Sequence, residues 1–315
     1  MACAGGERVV SIESLLRETG FTVSKTCCSR PSCFDFAARK GETVVFIKLQ
    51  PDIGSLSASD SEELRTISES VLASSILIGE KTREKPLEED TVYSRYNILA
   101  VTSKTFENIV ARKVSPLIQA GPGGYYVEVQ GEAIKRRRQE LGLSVGEVAE
   151  IVGVSRRTLY GYERGLAKAS VAVAYNMIYA LGIPVGRPVN VFEKPKTQRK
   201  CFLVKAKSVL ARNRLLQRVF RKLARYNIVT VNRAPFDFVI SVPEERMRII
   251  GGVASDGEHG LSRRVDEILS VSRVVRAHPI LISAGQTLSN KDINCIYSRE
   301  LSKFKEPEDL IANIR

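Results

Sequence analysis

The sequence predicts a small all-α bundle set between two α/β units. Three observations predict it. A helix, turn, helix pattern runs from Ser144 to Gly165. The segments on either side repeat one order of helices and strands, and each carries Phe-Asp-Phe, at Phe34–Phe36 and Phe236–Phe238. The net charge of +13 is concentrated in one segment beside the helical pattern. A length of 315 residues suits two or three domains of ordinary globular composition.

The first α/β unit is expected over residues 1–120. It reads as a helix over Val9–Gly20 and strands over Phe21–Lys25, Cys33–Lys40 and Thr43–Gln50. A helix over Ser61–Ser74 and a strand over Ser75–Glu80 follow, then Asn97–Val110. The glycine-rich stretch Gly121–Tyr126 lacks the Gly-Lys-Ser/Thr ending of a phosphate loop, so residues 121–129 are expected to be a hinge. The bundle occupies 130–186. Ser144, followed three residues later by Glu147, suits a helix start, and Gly153 a sharp helix stop. Val148, Ala149, Val154, Leu159 and Tyr162 are the expected core, with Ala149 small enough for two helices to cross closely. Ser155 caps the second helix and leaves Arg156, Arg157, Thr158 and Tyr160 on its outward N-terminal half.

Residues 187–235 carry 14 basic side chains and 1 acidic one, against a net charge of −2 over 1–129, +3 over 130–186 and −1 over 236–315. Residues 187–200, proline-bearing and lysine-rich, are expected to be an exposed linker. An amphipathic helix follows, with Val209, Leu216, Val219, Phe220 and Leu223 on one face. Arg214, Arg218, Arg221 and Arg225 make a cationic stripe on the other, suited to phosphates, to an anionic surface or simply to water. The second α/β unit, 201–315, continues as strands over Asn227–Asn232, Pro235–Val242 and Arg246–Val253. A helix over Ser262–Ala277 and a strand over Pro279–Gly285 follow, then Asp292–Leu301.

Several classes of function are not supported. No apolar run approaches the length of a membrane span, and the first residues lack the basic-then-apolar order of a signal peptide, so a cytoplasmic protein is expected. The cluster Cys27, Cys28 and Cys33 has no C-x-x-C spacing and no histidine near it, since the chain's histidines are His259 and His278. Reduced thiols and no metal or cofactor are expected.

The middle segment resembles the lambda repressor and Cro (Cro/C1, XRE) family of helix-turn-helix domains. Arg138, Gly142, Leu143, Ser144, Glu147, Val148, Ala149, Gly153, Val154, Ser155, Leu159, Tyr162, Glu163 and Gly165 fall on that family's pattern. The resemblance implies double-stranded DNA as partner, with the helix 155–164 entering the major groove. Arg156, Arg157, Thr158 and Tyr160 would read base edges, and Ser155 with the arginine stripe would contact the backbone. One position departs from the family: Val145 stands where a phosphate-binding glutamine is usual.

The flanking units resemble the PD-(D/E)xK nuclease fold, in which two carboxylates hold Mg²⁺ and a lysine steadies the attacking hydroxide. The first copy retains Asp35 and Lys48 but has Phe46 in place of the middle acid; Glu62 or Glu63 could substitute for it. The second retains Asp237 and offers Ile250 or Gly251 where lysine is needed. These are read as degenerate, vestigial sites with no catalytic residue. Taken whole, the chain is similar to archaeal helix-turn-helix transcriptional regulators. The expected function is therefore sequence-specific transcription regulation by a homodimer joined through its α/β units, with no effector identified. The alternatives are a metal-dependent nuclease targeted by its bundle and a charge-driven architectural protein.

Overall fold

A computed structural model describes residues 6–194, 227–242, 247–254, 258–283 and 293–297. Arg214, Arg218, Arg221 and Arg225 lie outside the described residues, as do Cys3, Cys201 and the predicted linker from residue 195 on. No helix among the described residues is long and apolar enough to cross a membrane.

The chain starts with α1, Gly6–Glu18, then β1, Thr22–Val23, β2, Phe36–Lys40, and β3, Thr43–Leu49. Both β1 and β3 pair antiparallel with β2. Gly41 turns the β2–β3 hairpin at φ +58°, where a side chain would be strained. Four consecutive residues of β3, Val44 to Ile47, are buried, so the strand is covered on both faces. The helix α2, Ala58–Val71, begins where Ser57 Oγ accepts from the Asp60 amide. Its Leu64, Ile67, Ser68 and Val71 are buried at helical spacing. β4, Ser74–Ile78, completes the order β1-β2-β3-β4.

Pro51–Ser55 and Ile78–Val191 form a second compact unit. It holds a short hairpin of β5, Lys81–Thr82, and β6, Lys85–Pro86, and a longer one of β7, Thr91–Arg95, and β8, Ile98–Val101. Tyr96 and Asn97, both at positive φ, make the two-residue turn of the longer hairpin. After α3, Ser103–Ala111, come β9, Ile118–Gly121, and β10, Gly124–Val127. The bundle follows as α4, Gly131–Glu140, α5, Val145–Val152, and α6, Arg156–Glu163. β11, Ala169–Ser170, and α7, Val171–Leu181, complete it. Strand order within the unit is β8-β7-β9-β10-β11.

Two segments differ from expectation here. Residues 121–129 are a hairpin turn and strand rather than a hinge. β10 pairs antiparallel with β9 and with β11, and Val127 and Val129 enter the bundle's core. The glycines serve the tight turn, with Gly123 at φ +82°. The start of the 187–200 segment is packed, not free: the Arg187 amide donates to Glu128 O (2.7 Å) and the Val189 amide to Pro116 O (2.8 Å). Val189 and Val191 are buried.

The C-terminal part comprises β12, Asn227–Thr230, β13, Phe238–Val242, β14, Met247–Ala254, α8, Leu261–Val275, β15, His278–Ser283, and β16, Asn294–Tyr297. β12, β13 and β14 pair antiparallel in turn; β15 joins β14 in parallel and β16 joins β15 in parallel. The order β12-β13-β14-β15, with a helix between its third and fourth strands, repeats that of β1 to β4. The hydrogen bonds repeat too. The Asp35 amide donates to Ile47 O and the Asp237 amide to Gly251 O, both at 2.8 Å.

These two copies belong to one compact unit, Met1–Gln50, Leu56–Leu77 and Phe192–Arg315, rather than to two separate flanks. They interlock reciprocally. Helix α2 of the first copy packs on β12 and β13 of the second, and α8 of the second packs on β2 of the first. Each helix lends a carboxylate to the loop before the other copy's Phe-Asp-Phe. Glu63 accepts from the amides of Asn232 (3.1 Å) and Arg233 (2.8 Å). Glu267 accepts from the amides of Cys28 and Ser29 (both 2.9 Å) and from Ser29 Oγ. This is the geometry of a self-complementary dimer interface, closed here within a single chain. The Glu267 carboxylate is almost fully buried (2% exposed), so its removal strands several donors at once. Glu267→Ala should therefore lower unfolding free energy by about 2–3 kcal/mol in urea titrations; a loss below about 0.5 kcal/mol would show that the exchange contributes little.

Candidate nucleic-acid interface

The bundle is assembled so that α6 is held from one side and open on the other. At its C-terminal end α6 lies against the start of α4. A Cβ on Gly131 would stand 2.4 Å from the carbonyl oxygens of Tyr162 and Glu163, so only glycine allows this approach. From the same α4, Arg138 reaches the buried Glu163. Its Nε lies 2.6 Å from Oε1 and its Nη2 3.1 Å from Oε2, while Nη1 donates to Leu143 O at 2.9 Å. This two-pronged contact holds the Arg138 guanidinium above its usual pKa, against the opposing effect of burial. Leu159 and Tyr162 turn inward to join Val148, Ala149, Val152 and Met177.

The turn is built from local signals. Ser144 and Glu147 form a reciprocal capping box at the start of α5. Gly153 ends α5 in the left-handed region (φ 78°), and the half-buried Val154 returns its amide to Ala149 O at 2.9 Å. Ser155 then caps α6 by accepting from the Thr158 amide at 3.1 Å. The capping bonds keep the Glu147 carboxyl below its ordinary pKa. The box is therefore complete above the usual carboxylate range and is lost as pH falls through the lowered value.

Arg156, Arg157 and Tyr160 are exposed on the free side of α6. Thr158 is half-buried, and its hydroxyl lies 2.8 Å from Ser155 Oγ, so it is turned toward the cap. Two features of this face are not apparent in the motif. Arg156 lies across the start of α5, where a Cβ on Gly146 would stand 2.8 Å from Nε. Val145, at the position of the family's glutamine, packs on the core instead of facing outward. The glycine thus makes room for an arginine where the usual polar side chain is missing. The second feature is Arg164, exposed and 5.5 Å from the centre of the Tyr160 ring. Its spacing of four from Tyr160 was the available signal. Arg164 and Lys168 also border an open cavity of about 730 Å³, together with Arg136, Arg187, Glu128 and Glu132.

Away from the bundle, Asp35 and Lys48 do meet. Lys48 Nζ lies 3.1 Å from Asp35 Oδ1, and the Leu49 amide donates to Oδ2 at 2.6 Å. Phe46 is fully buried against Phe34, with ring centres 4.8 Å apart. Of the two candidate substitutes, Glu63 is bonded to the Asn232–Arg233 loop, and nearby Asp60 pairs with Arg233 at 2.6 Å.

In the second copy the Val253 amide donates to Asp237 Oδ2 as Leu49 does to Asp35. By this register Gly252, not Ile250 or Gly251, occupies the lysine position. A Cβ there would meet Ile268 (2.9 Å), Leu281 (3.1 Å) and Arg264 Nη2 (3.4 Å); Arg264, from α8 and 1% exposed, sets that Nη2 2.5 Å from Asp237 Oδ2. Arg30 and Glu258 complete a network of two guanidiniums and two carboxylates. A nuclease of this fold would need Mg²⁺ on a pair of carboxylates. In the first copy Asp35 is paired with Lys48 beside the buried Phe46, and in the second the two carboxylates, Asp237 and Glu258, are both engaged by Arg264 and Arg30, an arrangement of cations in place of an open carboxylate pair that does not suit the ion. Burial raises the thiol pKa of both Cys27 and Cys33 well above the ordinary value.

Residues 7–116 match the PD-(D/E)XK superfamily domain and residues 134–186 the helix-turn-helix domain. The chain is 34% identical to a protein of Methanococcus maripaludis, over 94% of this chain and 93% of that one. It is 33% identical to one of Methanococcus vannielii, over 95% and 93%, and 28% identical to one of Methanosarcina acetivorans, over 96% and 94%. Each is named a "Putative HTH-type transcriptional regulatory protein". No solved structure matches the chain.

Gly146→Ala should leave the fold intact and add up to about 1 kcal/mol of helix propensity, while pushing Arg156 off the start of α5. Duplex binding by fluorescence anisotropy should weaken or change preference at unchanged melting temperature. Unchanged binding would mean that the placement of Arg156 is immaterial.

Proposed function

The chain belongs to the archaeal family of HTH-type transcriptional regulatory proteins, and we propose that it reads specific double-stranded DNA sites as a homodimer, without cleaving them. The carrying observation is a recognition helix braced by the buried Arg138–Glu163 pair, with Arg156, Arg157 and Tyr160 left open to solvent. Arg157 is the first base reader, since a guanidinium can donate two bonds to guanine O6 and N7. Arg156 joins it at the groove edge, where its seat over Gly146 also suits a phosphate. Tyr160 contacts thymine methyl or backbone; Thr158 contributes through its methyl, its hydroxyl being engaged with Ser155.

Phosphate grip comes from Ser155 at the start of α6, from Arg164 and Lys168, and from the stripe of Arg214, Arg218, Arg221 and Arg225. In this reading residues 130–186 are the DNA-binding domain of a cytoplasmic regulator, and the α/β copies are scaffold. Support for a non-nuclease comes from the donor sets: Asp35 is paired with Lys48, and Asp237 and Glu258 are both held by Arg264 and Arg30.

Sheared genomic DNA, captured by the full-length protein and sequenced, tests the reading. Wild type should enrich discrete fragments of unaltered length. Arg157→Ala should lose that enrichment while still binding bulk DNA. Arg218→Ala should weaken all fragments about equally and flatten the salt slope by about one. An identical, sequence-independent loss in both variants would overturn the division between readers and backbone contacts.

A further inference from the structure

Helix α7 carries an exposed apolar stripe that the bundle does not use. Val171, Tyr175, Ile178 and Tyr179 are 38%, 69%, 43% and 83% exposed. At about 100° per residue they fall within roughly 100° of arc, one face of the helix. The opposite face, with Ala174, Met177 and Leu181, is buried in the bundle core. The stretch from Ala169 to Gly186 contains no charged residue, in a chain of net charge +13. An uncharged, tyrosine-rich face flanked by cations has the composition of an interface centre.

We propose that this stripe is where two copies of the chain meet, α7 against α7 across a two-fold axis. The inference rests on the reading of the protein as a dimeric DNA binder. Charge argues for a second copy over another partner. Two strongly basic molecules repel each other, and α7 is a face on which they can touch without opposing like charges. Fold argues the same way. The α/β copies, expected from sequence to dimerise, already cover each other within one chain. One segment, residues 134–186, matches a helix-turn-helix domain, and a two-fold DNA site takes two such domains, here one from each of two chains.

Area sets the strength. Covering two tyrosines, a valine and an isoleucine removes on the order of 400 Å² per copy, about half of the roughly 800 Å² per partner of a stable complex. The free dimer is therefore weaker than a complex of standard size. On DNA, neighbouring half-sites raise the effective concentration into the millimolar range and hold the pair together.

The test is sedimentation velocity of the full-length protein from about 1 to 200 µM, with wild type beside Tyr175→Glu/Tyr179→Glu and, as a milder variant, Tyr179→Ser. Binding of each to a random 30-base-pair duplex is measured in parallel. Wild type should pass from monomer to dimer over this range. The double variant, with an unchanged melting temperature, should stay monomeric at every concentration, and the serine variant should shift the transition several-fold upward. The random duplex should still bind both variants. A wild type that stays monomeric, or variants that dimerise like wild type, would overturn the α7 interface while leaving DNA binding intact. Failure of wild type to bind any duplex would instead remove the functional reading on which it rests.

Discussion

The DNA-facing geometry depends on one buried contact, the pairing of Arg138 with Glu163. It ties α4 to the last turn of α6, 25 residues further on, and its third bond to Leu143 O fixes the turn before α5. With the arginine 10% exposed and the glutamate 3% exposed, neither charge is well solvated without the other. Removing one partner from such a pair typically costs about 3–5 kcal/mol. The pair therefore acts as a register pin: Leu159 and Tyr162 supply burial, and the ion pair selects one orientation of α6. The absence of a Cβ on Gly131 lets the two helices come close enough for the contact to form.

In both α/β copies the aspartate at the strand junction has a structural role that needs no metal. The aspartate at the strand junction is retained in both, because its carboxylate accepts a backbone amide, from Leu49 in one copy and Val253 in the other. That structural role needs one acid. Phe46, two residues before Lys48, belongs to the hydrophobic core. The cation opposite the aspartate is retained by a different route in each copy, a strand lysine in the first and a helix arginine in the second. Charge balance at a partly buried aspartate is sufficient reason to keep one.

How much of this is legible in the sequence follows from the range of each interaction. The turn, caps and outward arginines of the bundle can be read directly, since Ser144, Glu147, Gly153 and Ser155 act within a few residues of their targets. The repeat can be read as well, through Phe-Asp-Phe and strand order. Contacts between distant segments cannot. Nothing local says that Arg264 pairs with Asp237, that Glu63 and Glu267 each hold the other copy's loop, or that Arg156 lies over Gly146. The 121–129 segment fails differently: a glycine run serves a hinge and a tight hairpin equally well. Only the pairing of β10 with β9 and β11 separates the two.

The central claim is that an anchored α6 reads base sequence on intact DNA. The most direct measurement is selection of bound molecules from a random duplex library at about 150 mM salt with Mg²⁺ present, followed by sequencing and length analysis. The account predicts full-length DNA enriched in a near-palindromic site, its half-sites about one helical turn, roughly 34 Å, apart. Binding without enrichment would contradict base reading by α6 and leave only charge-driven attachment; shortened DNA would contradict the reading of the α/β copies as inert.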